Sequence, residues 1–383
     1  MSGGVVVVSE QSVPLWSLSG EERIRRCAGQ CRLPVLTMET LPSAGTVLLI
    51  RADCALELRV FKALTQAPGT LLVEQGTPLA VHCRVDQAPA MATALLAGDV
   101  QMPELEGCDA RRLVGGYQER LRNVAAPVAA LVTPRNSADL EQRLYRGAYK
   151  SVTDLITKWL WPKPAAAAVR LCARWHISPN NVTLLSLALV ILAAWLFQHG
   201  EFAAGLVAGW LMTFLDTVDG KLARVTVTSS RFGDILDHGI DLLHPPFWYW
   251  AWAIGLGVPA LAGLPMGAVV GLIFAGYIVG RLAEGAFQLW CAPFSMFSWR
   301  PFDSLNRLIT ARRNPCMILL TIAIAAGRPD LGLVAVLIWT LLSSLLLWIR
   351  VFQALPSRGR LSSWLDDAAP RGALGKLAAR WFL

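Results

Sequence analysis

Four aspartates in the middle of the chain have a spacing that could bind divalent metal ions. Asp216 and Asp219 are three residues apart, and Asp237 and Asp241 are four apart, so on helices each pair projects from one face. Unpaired carboxylates beside apolar segments would repel one another and be costly to desolvate, whereas Mg²⁺ and Mn²⁺ prefer hard oxygen ligands. The spacing therefore predicts an acidic site for one or two such ions.

Small and basic residues follow the first pair. Gly220 and Ala223 share a helical face with Asp216 and leave room for a bulky ligand, and Arg224 can meet a phosphate. The whole pattern, D-x2-D-G-x2-A-R-x8-G-x3-D-x3-D, resembles the signature of the CDP-alcohol phosphotransferase (CDP-alcohol phosphatidyltransferase) family at every fixed position. The alternative, a charged loop that happens to carry acids, does not account for that spacing.

The resemblance implies a role for each of these residues. All four aspartates would hold the metal, with Asp241 also acting as the base that activates an acceptor hydroxyl. The residues implied for the nucleotide pocket are Asn180, Thr183, Gly220, Ala223, Arg224 and Gly233. The implied reaction transfers a substituted phosphate from a CDP-alcohol donor to an acceptor alcohol and releases CMP. As bare sequence, Asn180 or Asn181 is equally typical of a helix cap.

The second half of the chain is apolar enough to enter a bilayer. Of 383 residues 54% are hydrophobic and 15 are Trp, but the first 150 or so contain no long uncharged run. The predicted spans are about residues 179–197, 202–223, 233–254, 261–284, 304–326 and 331–350. The distribution of basic connections predicts a multi-pass protein of the inner (plasma) membrane, with both termini and the acidic site in the cytoplasm.

The fifth span carries a group of arginines. Its uncharged stretch, Pro315 to Gly327, is too short to cross about 30 Å of hydrocarbon. An extended helix takes in Arg307, Arg312 and Arg313, at the depth of the aspartates. A cationic group facing an acidic metal site needs an anion between them, and a phosphorylated polyol acceptor fits. A plain anchor to lipid phosphates is an equal alternative for any single arginine.

The amino-terminal 140 residues predict a soluble, Rossmann-like α/β domain with a mainly parallel sheet. Runs typical of strands lie at 5–9, 46–51 and 70–74, and helical patterns lie at 20–31 and 55–66. The runs around Arg23 and Arg51-Ala-Asp53 faintly resemble the sugar-phosphate nucleotidyltransferase fold. Its glycine-rich phosphate loop is missing, since Ser9 to Trp16 contains no glycine. We therefore expect a degenerate, non-catalytic relative; the alternative is a bifunctional cytidylyltransferase and phosphotransferase.

The remaining segments divide the chain further. Residues 141–178 interleave Trp with Lys and Arg, which favours a helix in the lipid head-group layer over an ordinary connecting helix. Within this segment Lys150 and Asp154 are weak candidates to face the site. Residues 179–355 would form the six-helix α-helical transmembrane bundle, and 356–383 a cytoplasmic tail.

Several residues inside the predicted spans need a separate explanation. Pro245 and Pro246 should kink the third span beside Asp241. His244 could hydrogen-bond Asp241, although a buried histidine with its own partner is the favoured interpretation. Arg281 and Glu284 are typical of an intramembrane ion pair that holds helices together.

Together these patterns predict a membrane enzyme, and the resemblance implies phospholipid biosynthesis with a phosphoinositol-type or a non-phosphorylated acceptor. The resemblance implies a homodimer. The net charge of +8 accompanies apolar spans instead of a nucleic-acid-binding module, so nucleic acid is not an expected partner. A membrane transporter or lipid-binding protein is the rival from another class, because intramembrane charges often line transport routes.

Overall fold

The computed structural model describes residues 3–8, 12–102, 104–366 and 372–383, except for the side chain of Phe232. An α/β domain comes first and a bundle of long helices follows. The strands are β1 (Val5–Val8), β2 (Val35–Leu36), β3 (Thr46–Arg51), β4 (Cys54–Leu56), β5 (Thr70–Glu74), β6 (Thr77–Arg84), β7 (Glu106–Cys108), β8 (Tyr117–Gln118), β9 (Asn123–Val124), β10 (Ala129–Leu131), β11 (Ala260–Leu261) and β12 (Leu264–Pro265). The helices are α1 (Gly20–Gln30), α2 (Leu58–Gln66), α3 (Ala88–Ala97), α4 (Ala110–Val114), α5 (Ser137–Gly147), α6 (Pro162–Arg174), α7 (Pro179–Gln198), α8 (Phe202–Val225), α9 (Arg231–Leu256), α10 (Met266–Trp290), α11 (Pro301–Ile309), α12 (Arg313–Ala325), α13 (Pro329–Ala354) and α14 (Gly372–Phe382).

The amino-terminal domain is built on a sheet with strand order β2-β1-β3-β6-β5-β7. The three predicted strands and two predicted helices are present, although β4 takes the first residues of the predicted second helix. Strand β1 is parallel to β2 and β3, and β5 is parallel to β7. Strand β6 is antiparallel to both of its neighbours, so the sheet is mixed. Both faces of the sheet are covered by buried apolar side chains.

The predicted features of a degenerate nucleotide site fall partly outside the described residues. Ser9–Gln11 of the glycine-free segment are not described. Asp53, the carboxylate at the strand end, accepts hydrogen bonds from Arg51 Nε at 2.9 Å and Arg51 Nη2 at 2.7 Å. Both oxygens of that carboxylate are therefore already engaged by a cation.

Fewer helices qualify as membrane spans than the sequence predicted. Among the described residues, α7, α8, α10 and α13 are long and apolar enough to cross a bilayer. Helices α11 and α12 qualify together as a fifth, but they are bent by 44° at the break between them. Helix α9 does not meet the same criterion. The predicted count of six is not confirmed, because α9 has charged residues in its first half and two prolines in its middle.

The two parts of the molecule share an apolar core. Leu15 and Trp16 from the amino-terminal domain pack with Leu144 of α5 and with buried residues of α6, α7 and α8. This cluster includes Leu222 and Val225, at the end of α8 that follows the predicted metal-binding pair. The α/β domain is therefore packed directly against the end of the bundle that carries the acidic motif.

Candidate active site

The acidic residues of α8 and α9 converge at one place. Asp216, Asp237 and Asp241 each offer a carboxylate oxygen, and these oxygens lie within 4.8 Å of one another. Three carboxylates at that separation repel unless a cation lies among them. The group therefore has the ligand type and the spacing of a site for a divalent metal.

Asp219 lies beside this group but is held by another helix. Thr183 Oγ1 of α7 donates a hydrogen bond to Asp219 Oδ2 at 2.6 Å, and the carboxylate is buried. The backbone N–H of Gly220 donates to its other oxygen. The sequence analysis expected all four aspartates to hold the metal, whereas the structure gathers three of them and pairs the fourth, Asp219, with Thr183.

Arg313 supplies positive charge to the acidic group. Its Nη2 lies 2.6 Å from Asp216 Oδ2, and its Nη1 pairs with Asp241. Arg313 is the first residue of α12, directly after the bend between α11 and α12. The next residue, Asn314, donates to Asp154 Oδ1 at 2.9 Å, which holds the start of the helix in place.

The predicted nucleotide residues line one cavity of about 240 Å³. All six are present in its lining: Asn180, Thr183, Gly220, Ala223, Arg224 and Gly233. Asp219 and Asp237 also line this cavity, so it reaches the acidic group at one side. The sequence motif and the cavity therefore coincide.

Close contacts explain the glycine at position 233. A Cβ there would lie 2.8 Å from Asn180 Oδ1 and 3.1 Å from Ser230 Oγ. Ser230 is the N-cap of α9 and accepts the N–H of Gly233 at 3.0 Å. The alternative that Asn180 or Asn181 caps α7 is wrong, because Ser178 is the N-cap and accepts the N–H of Asn181.

The opposite wall of the cavity comes from the amino-terminal domain. Its lining residues there include Arg23 and Gln30 of α1, the segment 57–59 and Lys62 around the start of α2, Arg120, and Arg143 of α5. Apart from the run around Arg23, no sequence motif marks these residues, since only the packing of the two parts brings them to the nucleotide motif. They were not among the predicted site residues.

Helix α1 binds the backbone at the end of α8. Arg23 Nη2 donates to the carbonyl of Val225 at 2.7 Å, and Arg26 Nη1 donates to that of Thr226 at 2.9 Å. Gln30 Nε2 donates to the Ser229 carbonyl at 2.8 Å. Carbonyls at a helix C-terminus lack intrahelical partners and carry partial negative charge, so guanidinium groups stabilise them. Burial of the Arg23 guanidinium lowers its pKa.

A second group of charged residues lies on the α10 and α11 side of the site. Arg312 pairs with Glu284, and Arg281 Nη1 lies 3.6 Å from Glu284 Oε1, which confirms the predicted pair. Arg307 is buried, and its Nε and Nη1 have no hydrogen-bond partner among the described residues. Burial and the charge of Arg312 lower the pKa of Arg122, near this group, to about 10. The group therefore contains more cations than Glu284 can neutralise.

Lys150 and Asp154 have different surroundings. The protein around the Lys150 ammonium desolvates it and, with the charges of Arg122 and Arg224, lowers its pKa to about 8, while Asp241 and Asp237 oppose this shift. Lys150 thus lies in the electrostatic field of the site. Asp154 is buried and accepts the N–H groups of residues 156 and 157 at 3.1 and 3.0 Å, in addition to its bond from Asn314.

Helix α9 continues through its two prolines. Pro246 leaves the carbonyl of Leu242 without its helical donor, and Tyr277 of α10 donates its hydroxyl to that carbonyl at 2.9 Å. His244 Nδ1 bonds the Ile240 carbonyl at 2.6 Å, and the ring packs on Trp248. His244 is therefore a buried histidine with a local partner and does not bond Asp241. Sequence reasoning did not single out Tyr277, because its role depends on a neighbouring helix.

Comparisons with known proteins agree with this geometry. Residues 176–355 match the family described as CDP-alcohol phosphatidyltransferase. The chain is 28% identical over 211 residues to choline/ethanolaminephosphotransferase 2 of Arabidopsis thaliana, which covers 43% of this chain and 51% of that protein. It is 44% identical over 69 residues to phosphatidylinositol phosphate synthase of Streptomyces avermitilis (18% and 28%). It is 34% identical over 107 residues to bifunctional IPC transferase and DIPP synthase of Rubrobacter xylanophilus (27% and 24%). The chain spans about half or less of the length of these relatives.

Proposed function

We propose, on the premise that residues 176–355 match the CDP-alcohol phosphatidyltransferase family, that the protein transfers a substituted phosphate from a CDP-alcohol to an acceptor alcohol and releases CMP. One observation carries this proposal. The six nucleotide residues line a single cavity that reaches Asp219 and Asp237. A donor in this cavity would have its diphosphate next to the acidic group.

The acidic group fits a divalent metal by the chemistry of its donors. Carboxylate oxygens of Asp216, Asp237 and Asp241 within 4.8 Å of one another can share one hard cation. Asp219 would join them on the nucleotide side. A bound Mg²⁺ or Mn²⁺ would supply positive charge to the donor diphosphate and to the departing CMP.

Asp241 is the proposed base. It would take the proton of the acceptor hydroxyl, whose oxygen then forms a bond to the β-phosphorus of the donor. The bond between that phosphorus and the bridging oxygen breaks, and CMP leaves with the bridging oxygen. Arg313, which pairs with both Asp216 and Asp241, would keep the carboxylate of Asp241 oriented.

The proposed acceptor is a phosphorylated polyol, as in a phosphoinositol-type reaction. Support comes from Arg307, which is buried and has two nitrogens without hydrogen-bond partners among the described residues. A buried guanidinium in that state is costly unless an anion binds it. Arg312 and Arg313 would assist, although both already pair with carboxylates. The name of the Streptomyces avermitilis relative, phosphatidylinositol phosphate synthase, agrees with this class of acceptor.

The proposed setting is a six-span homodimer in the inner (plasma) membrane, with both termini and the site in the cytoplasm. Arg224 and Arg231 flank the connection between α8 and α9, on the same side as the amino-terminal domain. The π-helical turn Ile156–Leu160 and α6 would lie at the head-group layer. Trp159 and Trp175, which are 53% and 65% exposed, suit that layer.

The test is a screen of the purified full chain in nanodiscs. CDP-alcohols with lipid and polar alcohol groups are combined with phosphorylated and non-phosphorylated polyols, in Mg²⁺ or Mn²⁺. We expect metal-dependent CMP release and a product of the corresponding mass with one phosphorylated polyol. A protein that forms no CMP with any combination would be a transporter or a lipid-binding protein instead.

A further inference from the structure

The two walls of the nucleotide cavity carry opposite charge. The bundle side contributes three acidic residues, Asp219, Asp234 and Asp237, and one basic residue, Arg224. Within the described part of the chain, the amino-terminal side contributes one acid, Glu57, and several bases. These bases are Arg23, Arg59, Lys62, Arg120 and Arg143. A cavity with one acidic wall and one basic wall fits an anion. The acidic wall would bind the anion through a metal cation, and the basic wall would bind it directly.

The basic wall is fixed in position relative to the motif. The three hydrogen bonds from α1 to the carbonyls of Val225, Thr226 and Ser229 hold the domain on the connection between α8 and α9. Arg120 Nη2 also lies 3.0 Å from Asp234 Oδ2 across the cavity. The shared apolar core adds to these contacts. The wall is therefore part of the site and not a neighbouring surface.

Arg59 has donor capacity that the protein itself does not use. Its Nη2 donates to the Ala125 carbonyl at 2.8 Å, and its Nε lies 2.9 Å from Glu57 Oε1. Its buried Nη1 has no hydrogen-bond partner among the described residues. The side chain is only 14% exposed and lines the cavity. Lys62, one turn further along α2, is exposed and lines the same cavity.

We propose that the amino-terminal domain forms half of the donor-binding site, with Arg59 and Lys62 binding the cytidine diphosphate part of the CDP-alcohol. This inference rests on the proposed function and extends it to residues far outside the family match. The domain would then set donor affinity without performing chemistry. Binding of the acceptor would depend on the domain much less, because Arg307, Arg312 and Arg313 come from the bundle.

The experiment measures binding of CDP itself by calorimetry, with the full chain in nanodiscs and with Mg²⁺ or Mn²⁺. The variants are Arg59→Met and Lys62→Met, which keep an unbranched side chain but remove the charge. We expect each to weaken CDP binding about tenfold or more, since a charge-assisted bond to the ligand is lost. In turnover assays the KM for the donor should rise while kcat and the KM for the acceptor stay the same.

The matched control is Arg84→Met, since Arg84 is an exposed arginine of the same domain that pairs with Asp86 outside the cavity. Equal CDP affinity in the parent, the control and both variants would overturn this inference alone. A parent that binds no CDP would overturn the proposed function and this inference with it. If Arg59→Met does not fold, Lys62→Met decides, because Lys62 is exposed and its loss opens no gap in the core.

Discussion

Asp241 lies where the acidic group meets the cation of Arg313. Its carboxylate belongs to the three that converge, and it is also the proposed base. We predict that Asp241→Asn or Asp237→Asn lowers CMP release by more than about 100-fold, since each change keeps the shape and removes a charge. CMP release at saturating Mg²⁺ or Mn²⁺ measures this, and the thermal unfolding midpoint checks that the fold is intact.

The control for this prediction is Asp330→Asn. Asp330 pairs with Arg328 at the start of α13, near the far end of α9, where Trp252 contacts the Pro329 carbonyl. It should keep full activity. Rates for both site variants within a few-fold of the parent would remove these aspartates from the site.

Arg307 gives the sharpest test of the acceptor. We predict that Arg307→Met raises the KM for a phosphorylated acceptor about tenfold or more and leaves the KM for the donor nearly unchanged, because only one substrate loses its counter-charge. Arg312 and Arg313 are less informative positions, because their loss also removes the cation that lies nearest to Glu284 or to Asp216. Initial-rate kinetics with both substrates varied would measure the KM for the acceptor and the KM for the donor separately.

Arg358→Met is the matched control for Arg307, since Arg358 is exposed and lies beyond α13. Its kinetics should equal those of the parent. If Arg307→Met weakens both substrates equally, or changes nothing, Arg307 is a structural residue and the acceptor binds elsewhere.

At the scale of elements, α9 depends on a donor from α10. Tyr277 gives its hydroxyl to the Leu242 carbonyl, which Pro246 deprives of a backbone partner. We predict that Tyr277→Phe lowers the free energy of unfolding by about 1–3 kcal/mol, the cost of a buried carbonyl left unpaired. Unfolding of the detergent-solubilised protein would be monitored through a signal that reports the loss of tryptophan packing.

A second substitution makes this prediction specific. Pro246→Ala restores the N–H that reaches the Leu242 carbonyl, so Tyr277→Phe should cost clearly less in that background. Equal costs in both backgrounds would mean that Tyr277 stabilises the protein by packing or through Arg281, which donates to its hydroxyl at 3.0 Å.

The elements that sequence analysis predicted well are those with strong local signals. Valine-rich β1 and the apolar helices α7 and α13 lie where their patterns placed them. Strand β6 was missed because Pro78 lies within it and because the turn before it needs Gln75 and Gly76 at φ of 50° and 77°. The spacing of the four aspartates could also be recognised from the sequence, because the two members of each pair are about one helical turn apart.

The parts of the site that could not be predicted arise from packing between distant segments. The sequence placed Arg313 at the depth of the aspartates with an anion between them. Its direct pairing with Asp216 and Asp241 arises because α12 starts after a 44° bend, which no residue pattern marked. Arg59 and Lys62 line the cavity only because α1 fixes the amino-terminal domain on the end of α8. Long-range contacts of this kind leave no periodic signal in one sequence.

At the scale of the whole molecule, the amino-terminal domain is predicted to make no CDP-alcohol from CTP. Asp53, the carboxylate just after β3 in the run that resembles a nucleotidyltransferase, is held on both oxygens by Arg51. Nucleotidyl transfer also needs backbone donors around a triphosphate, which a segment without glycine does not offer. Full-length protein with Asp241→Asn, given CTP, Mg²⁺ and a set of polyol phosphates, should release no pyrophosphate.

The Asp241→Asn variant separates synthesis of a CDP-alcohol from the phosphate transfer that would consume it. The transfer step is removed, while the amino-terminal domain is unchanged. The parent protein serves as the matched sample. Metal-dependent pyrophosphate release by either one would make the protein bifunctional.

The contacts between α1 and α8 also determine the order in which this protein can be assembled. The ribosome makes Arg23 about 200 residues before the Val225 carbonyl that it binds. Arg23 therefore stays hydrated until α7 and α8 have been inserted. Only an arrangement that returns the end of α8 to the side of the amino-terminal domain brings that carbonyl within reach, so α8 in the opposite orientation would leave the Arg23 guanidinium without this partner.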